Sequence, residues 1–473
     1  MSLNEQQLAF FNKVIEGNFK NLVLLGEAGT GKTYTLVETI SYLAVVQEAN
    51  IIVAAPTHSA LETIKNKFDA EILDCGKIVF KTLASLLCRY GVRSSIGTTF
   101  FVEPSQSNSL LGADYVFVDE ISMIGEKEQQ QLLNSGVKTV YTGDLSQLPA
   151  VMQTKATWDD VETFTLTIQQ RQKGDIYSLA LKCRDEIYYP QQEDTKPGEI
   201  DLIENSPQLK ELMLEKLLEA DLESYKDYRY LTYTNEDVEQ TNLFFHTNLF
   251  GHNPIYENEY IMLRCSGQFG HNGQIVKVKT IISEFYSEIF QVNEISIELE
   301  NGSIIKILSP QDQKKIQYKR EYTVSLLRQA LTAKNEELID FYNKELDILD
   351  SSWINWQYIY STTVHKSQGQ TIKFIFADIS SFRKASNKKS LLYVAISRAS
   401  ESITATTLPP RYVPKRKNKT ANVKMYRCLE TGYISNAAGL SNYQKKRGIN
   451  QQRIFIGTKQ GEKFISHIQK SFV

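Results

Sequence analysis

The sequence predicts an α/β protein built on parallel sheets, and three features carry that prediction. Short apolar runs at 22–25, 51–54, 115–118 and 139–142 alternate with stretches that suit helices. Three of the runs end in a glycine or an acid, at Gly26, Asp119 and Asp144. A second set of such runs, at 230–233 and 374–377, is separated by a long insertion of different character. Apolar strands joined by helices pack as a parallel sheet covered on both faces, and such sheets gather their ligands at the carboxyl ends of the strands.

Each element follows from local pattern. Leu8, Phe11 and Ile15 recur at helical spacing, with Asn4 placed to cap that helix. The run 22–25 enters a glycine-rich turn, and helix-compatible sequence follows over 33–43. Between 94 and 109 the chain turns polar and Ser/Thr-rich around a β-like stretch at 98–102, which reads as an insertion in the first α/β unit. Over 253–308, short alternating segments broken by Gly267, Gly270, Gly273 and Gly302 predict a small β-barrel. Residues 311–349 look helical, charged and exposed. A basic linker and a tail of about 50 residues follow Pro409-Pro410.

Composition sets the outer bounds. At 473 residues the chain is long enough for two to four domains, and 42% hydrophobic with 23% charged residues is ordinary globular usage. The net charge of -2 hides an uneven distribution: from Arg411 onward there are fourteen lysines and arginines against Glu430 and Glu462. Five cysteines, Cys75, Cys88, Cys183, Cys265 and Cys428, lack Cys-x-x-Cys spacing and read as reduced thiols of a cytoplasmic protein. No apolar run is long enough to span a bilayer, and no signal segment is apparent, so no membrane partner is expected.

The motifs carry chemistry. Gly26-Glu27-Ala28-Gly29-Thr30-Gly31-Lys32-Thr33 has the spacing of a phosphate-binding loop. Its glycines let backbone N–H groups turn toward phosphate oxygens; Lys32 would reach the β/γ-phosphates of ATP and Thr33 would ligate Mg²⁺. Asp119-Glu120 closes an apolar strand, with Asp119 placed for the metal and Glu120 for polarising a water. Gly143-Asp144-Leu145-Ser146-Gln147 follows the next strand, and the Gln147 amide could sense a γ-phosphate. Arg171 and Arg398 are candidate arginine fingers, a role that contributes about 10³–10⁵ in rate.

Together these pieces resemble the superfamily 1 DNA helicases, most closely the Dda-type helicases of T-even-like phages, over about 3–406. Leu3-Asn4-Glu5-Gln6-Gln7 looks like the family's Q motif, in which Gln7 would read adenine; as a partner of the Asn4 cap it has a structural role as well. Ala54-Ala55-Pro56-Thr57-His58 resembles the single-strand grip of the first motor domain, with Thr82 as a weaker second contact. Thr363-Val364-His365-Lys366-Ser367-Gln368-Gly369-Gln370 resembles the motif joining DNA and ATP contacts, with Thr363, His365 and Lys366 toward DNA and Gln370 toward nucleotide. Leu391–Ala399 resembles the last motif, placing Arg398 at the γ-phosphate.

The resemblance implies two RecA-like P-loop motor domains, at 1–175 and at 176–252 plus 352–408. It also implies a strand-splitting pin at about 88–110 and an SH3-like barrel with a helical tower at 253–351. Phe100 and Phe101 are wedge candidates or buried strand residues. The tail, 411–473, faintly resembles small DNA-binding repeats of phage homing endonucleases; a DNA-binding module and a solubilising tail are both open. The expected function is an ATP-dependent 5′→3′ helicase of phage replication or recombination, a monomer acting on single-stranded DNA and its junctions with duplex, alongside single-strand-binding or replication proteins. The alternative is a DNA-stimulated ATPase that strips bound proteins without processive unwinding.

Overall fold

The computed structural model describes residues 3–87, 90–93, 99–102, 112–149, 154, 156–168, 174–265, 269–407, 423–428, 434–436, 453–460 and 463–465. Residues 1–409 form one compact unit and 410–473 another.

The first sheet has six parallel strands in the order Ile78–Thr82, Ile51–Ala55, Tyr115–Val118, Lys138–Gly143, Asn21–Gly26, Glu162–Leu166. Its four interior strands are buried along nearly their whole length, which is why they read as unbroken apolar runs. The chain leaves Asn21–Gly26 through the helix Lys32–Val45 and crosses two strands to reach Ile51–Ala55. That reversal of direction opens a crevice at the carboxyl ends of the strands. Phe10, Leu36, Ile40 and Phe117 fill one face of the sheet, and Val23, Val116, Tyr141 and Trp158 the other.

The second sheet is also parallel, ordered Ser361–Thr363, Tyr228–Thr232, Ile372–Ala377, Ala399–Thr406, Ile200–Ile203. The helix Asp175–Asp185 packs here through Ile176, Leu179, Ala180 and Cys183, against Leu391, Leu392 and Val394 of the helix Lys388–Ser397. Leu148, which follows the sensor candidate Gln147, is buried in this same core.

Between Tyr228–Thr232 and Ser361–Thr363 lies an antiparallel five-stranded sheet, ordered Ile304–Leu308, Val292–Leu299, Ile275–Ser287, Tyr260–Leu263, Trp356–Tyr358. Two register shifts bend its long strand Ile275–Ser287. Trp356–Tyr358 falls in the range expected for the second motor domain, yet it pairs with Tyr260–Leu263. The reason is burial: Trp356 and Tyr358 both point into the core of the insertion, so the chain adds one strand there before re-entering the parallel sheet. The helices Pro310–Thr332 and Glu336–Ser351 form a hairpin held by Val324, Leu327 and Leu346.

A hairpin pairs Tyr90–Arg93 with Thr99–Val102, setting Phe100 opposite Val92 and Phe101 opposite Gly91 in the backbone register. The rest of the segment 88–110 lies outside the described residues. In the second unit, four antiparallel strands run in the order Ile434–Asn436, Val423–Cys428, Arg453–Gln460, Lys463–Ile465. Among the described residues no helix is long and apolar enough to cross a membrane.

Candidate active site

The phosphate-binding loop joins the end of Asn21–Gly26 to the helix Lys32–Val45. Gly29 and Gly31 hold left-handed backbone angles, φ 87° and 84°, which residues with a Cβ rarely adopt. A Cβ on Gly26 would lie 2.5 Å from Thr30 Oγ1 and 3.1 Å from the Leu166 carbonyl oxygen, so the tight turn also needs glycine there. The result is a concave run of backbone amides at a helix N-terminus, suited to the oxygens of a polyphosphate. Lys32 Nζ donates to the carbonyl oxygens of Gly26 at 2.6 Å and Glu27 at 2.8 Å. Burial lowers the Lys32 pKa, while Asp144, Glu120 and Asp119 pull it back up.

Those three acids arrive from neighbouring strand ends. Asp119 is buried and accepts a hydrogen bond from the Thr142 hydroxyl. Glu120 follows at a left-handed φ of 56° and opens a short turn, Ile121–Met123. Burial and then the Asp119 charge raise the Glu120 pKa to about 7, against the pull of Arg398 and Lys32. Gln147 is buried, and its Oε1 has no hydrogen-bond partner among the described residues. Such an unsatisfied acceptor is costly unless a ligand completes it.

Gln7 is buried against the same loop. It forms a reciprocal cap with Asn4, both bonds 3.0 Å, and its Nε2 donates to the Thr30 carbonyl at 3.5 Å. The structural role of Gln7 is therefore in place, and its amide also abuts the phosphate loop. Its neighbour Gln6, which the sequence did not single out, bonds the Thr167 hydroxyl and amide at 2.8 and 2.9 Å.

The second parallel sheet and its helices supply the opposite wall. Arg398 is buried; its Nη1 donates to the Gln370 carbonyl at 3.3 Å and its Nε is unpartnered among the described residues. Gln368 reaches across with Nε2 to Ser122 Oγ at 3.2 Å and the Leu148 carbonyl at 3.1 Å. The Tyr393 hydroxyl donates to Asp144 at 2.5 Å and accepts from the Ala28 amide at 3.2 Å. Gly369, at φ 78°, comes so close that a Cβ would sit 3.2 Å from the Ala60 Cβ and 3.7 Å from Glu120 Oε1. Lys32, Asp119, Glu120 and Arg398 thus meet at one cleft, with Gln370 bonded to Arg398, while Thr33 follows Lys32 and Gln147 follows the Asp144 strand end in the chain; Arg171 lies outside the described residues.

The residues suit a nucleotide and its magnesium. Gln147 Oε1 and Arg398 Nε offer an acceptor and a donor without partners among the described residues, and Asp119 stands near Lys32 as a hard oxygen donor.

A second face lies beside the cleft. Thr57 caps the helix His58–Lys65, accepting from the Ala60 amide at 3.1 Å, and Thr82 caps Leu83–Leu86 in the same way. His58 stacks on His271 of the inserted sheet, ring centroids 5.3 Å apart. Thr363 Oγ1 accepts from the Lys366 amide at 3.3 Å, and Lys366 Nζ donates to Asn235 at 2.9 Å. Burial lowers the Lys366 pKa and the nearby Arg264 charge lowers it further; burial also lowers that of His365. Arg264 and His271 come from the insertion, and nothing in their local sequence marked them.

Comparison with known proteins agrees with this arrangement. Residues 2–185 match the AAA domain family, and residues 358–404 match the UvrD-like helicase C-terminal domain family. Protein R530 of Acanthamoeba polyphaga mimivirus is 24% identical over 490 residues, covering 85% of this chain and 99% of that protein. A structure of two coordinating Pif1 helicases unwinding forked duplex DNA covers 95% of this chain and 98% of its own, at 17% identity and a TM-score of 0.50. Pif1 from Bacteroides, in complex with ADP-AlF3 and single-stranded DNA, covers 86% and 92% at 18% identity and a TM-score of 0.42. The segment that matches the AAA domain and the segment that matches the UvrD-like helicase C-terminal domain face each other across one cleft. The overall fold is similar to that of Pif1.

Proposed function

We propose that the chain is an ATP-dependent DNA helicase that moves 5′→3′ along single-stranded DNA, as in the Dda branch. The observation that carries the ATPase reading is the cleft itself. Lys32, Asp119, Glu120 and Gln147 on one wall face Arg398, Gln368 and Tyr393 on the other, and direct hydrogen bonds cross between them.

ATP fits between the two walls with its phosphates on the loop amides and Lys32. Thr33 and Asp119 would hold magnesium, which would supply charge neutralisation for the phosphates. Glu120 orients the attacking water and takes its proton; Gln147 and Arg398 sit against the γ-phosphate and register its loss. Arg171 is assigned a similar contact by its sequence context. Gln7 and Gln370 frame the base and the cleft edge.

Gln368 bonds beside both Glu120 and Gln147 and lies two residues from Lys366, so nucleotide state and strand grip share one short segment. Pro56, Thr57, His58 and Thr82 grip the strand from the first domain, and Thr363, His365 and Lys366 from the second. Opening duplex costs about 1.4 kcal/mol per base-pair step, well within one ATP per step. Phe100 and Phe101 are the proposed wedge, and the inserted sheet with its helical hairpin is the proposed SH3-like barrel and tower.

The test uses duplexes with a 5′ or a 3′ single-stranded tail. The expected outcome is ATP-dependent unwinding of the 5′-tailed substrate only, abolished by Lys32→Ala. Unwinding of the 3′-tailed substrate alone refutes the polarity. ATP hydrolysis stimulated by single strands without any strand separation favours a remodelling ATPase instead.

A further inference from the structure

Glu27 is an awkward residue for a loop that wraps phosphates. It follows Gly26 directly, and its carboxylate carries the same sign of charge as the ligand the loop would hold. Like charges a few ångströms apart repel strongly where the site excludes water. The structure answers that charge from the other side of the cleft. Glu27 Oε2 accepts from the Tyr177 hydroxyl at 2.7 Å, and Oε1 pairs with the Arg184 guanidinium.

Tyr177 and Arg184 stand two turns apart on the helix Asp175–Asp185, so they share one face. The other face, Ile176, Leu179, Ala180 and Cys183, is buried in the core of the second motor domain. Asp185 accepts from Arg184 Nε at 2.7 Å, which fixes the plane of the guanidinium. Both partners keep some solvent exposure, 23% for the Arg184 side chain and 31% for that of Glu27, so the pair can exchange with water when the domains part.

The backbone of Glu27 matters too. Its carbonyl accepts from Lys32 Nζ at 2.8 Å and from Thr30 Oγ1 at 2.9 Å. The next amide, Ala28, donates to Tyr393, again from the second domain. Two consecutive loop residues are therefore held from across the cleft.

The geometry points to Arg184 and Tyr177 as positioning residues for nucleotide binding: they neutralise and fix Glu27, so that the phosphate loop accepts a polyphosphate well only while the second motor domain is engaged. This rests on the ATPase reading above and adds a mechanism by which domain closure sets nucleotide affinity. Removing Arg184 leaves an uncompensated carboxylate beside the phosphates. Removing the Glu27 charge as well removes the reason for Arg184.

The experiment measures, in the full chain, the Kd of a fluorescent ATP analogue and the KM and kcat of hydrolysis stimulated by single-stranded DNA. Arg184→Ala is expected to raise Kd and KM by about fivefold or more, in the usual range of coupling between sites, with a smaller change in kcat. The double variant R184A/E27Q is expected to return to the affinity of E27Q alone. Arg184→Gln gives the same comparison where the alanine variant does not fold. Unchanged Kd in the Arg184 variants overturns the inference, and so does an equal loss with and without E27Q, which would mean that Arg184 acts only through helix packing. A wild-type chain that binds the analogue but never hydrolyses ATP refutes the helicase reading, while the binding comparison still decides the role of Arg184.

Discussion

Glu120 occupies left-handed backbone, φ 56° and ψ 49°, where a residue other than glycine is strained. The strain turns the carboxylate out of the strand line, toward Lys32, Arg398 and the backbone of Gly369. Burial and the Asp119 charge raise its pKa to about 7, which sets a pH dependence. A base works only when deprotonated, so kcat/KM for ATP should be level above pH 7 and fall about tenfold per unit below it. Glu120→Gln should lower kcat by about 10²–10⁴ and remove that limb of the profile. A wild-type profile flat from pH 5.5 to 8 would count against Glu120 as the base. The sequence made Glu120 legible, because a strand that ends in two acids is a local pattern. It did not make Tyr177, Arg184 or Tyr393 legible, because each gains meaning only from a loop more than a hundred residues away.

At the scale of elements, the inserted sheet is anchored to the second α/β unit by a buried pair. His246, on the helix Asn235–Leu249, places Nδ1 2.8 Å from Glu259 Oε1 and Nε2 2.7 Å from the Asn253 carbonyl. Tyr360 donates to the same carboxylate at 3.2 Å, and the His246 ring stacks on Tyr358 at 4.1 Å. Removing one partner of a buried pair costs about 3–5 kcal/mol, because the other charge is left without compensation. His246→Ala should therefore lower the unfolding temperature, and the loss should depend on pH. Burial raises the Glu259 pKa above that of an unfolded carboxyl, and His246 opposes the rise. Without His246 the folded state favours the protonated carboxyl, so the penalty is small near pH 4.5 and grows as pH rises. Thermal melts of both proteins at pH 5 and pH 8 check this; an equal difference at the two values would mean that lost packing dominates. A periodic reading of sequence could find the alternating strands of this insertion but not its seam. Trp356–Tyr358 is short, and only the burial of Trp356 and Tyr358 decides which sheet receives it.

Gly369 links elements to the whole molecule, since its backbone lies against the opposite wall of the cleft. A Cβ there meets the Ala60 Cβ at 3.2 Å, and the backbone already holds φ 78°. Left-handed backbone costs a residue with a Cβ about 1–2 kcal/mol, and the clash adds to it. Gly369→Ala should leave each sheet intact while forcing the walls apart. The expected result is near-normal thermal stability with hydrolysis reduced by about tenfold or more, since about 1.4 kcal/mol at the cleft is tenfold. Unchanged turnover would show that closure tolerates the added methyl group.

Across the whole molecule, charge is divided as sharply as the fold. The segment 411–473 carries +12, which leaves -14 on the preceding 410 residues. The acidic unit carries local cations such as Arg264 and Lys366, which lie near each other, but its net charge gives little long-range attraction to phosphate. The basic segment forms its own compact unit with a four-stranded antiparallel sheet. Each phosphate contact it makes should release counterions and steepen the salt dependence of binding by about 0.7 per contact on single strands. Ending the chain at Pro410 should thus weaken affinity for single-stranded DNA by about tenfold or more at low salt and flatten the plot of log K against log salt. It should leave ATP turnover at saturating DNA nearly unchanged, because every residue assigned to the cleft lies before that point. A slope identical to that of the full chain would assign all the phosphate contacts to the motor and leave the tail a solubilising or protein-binding segment.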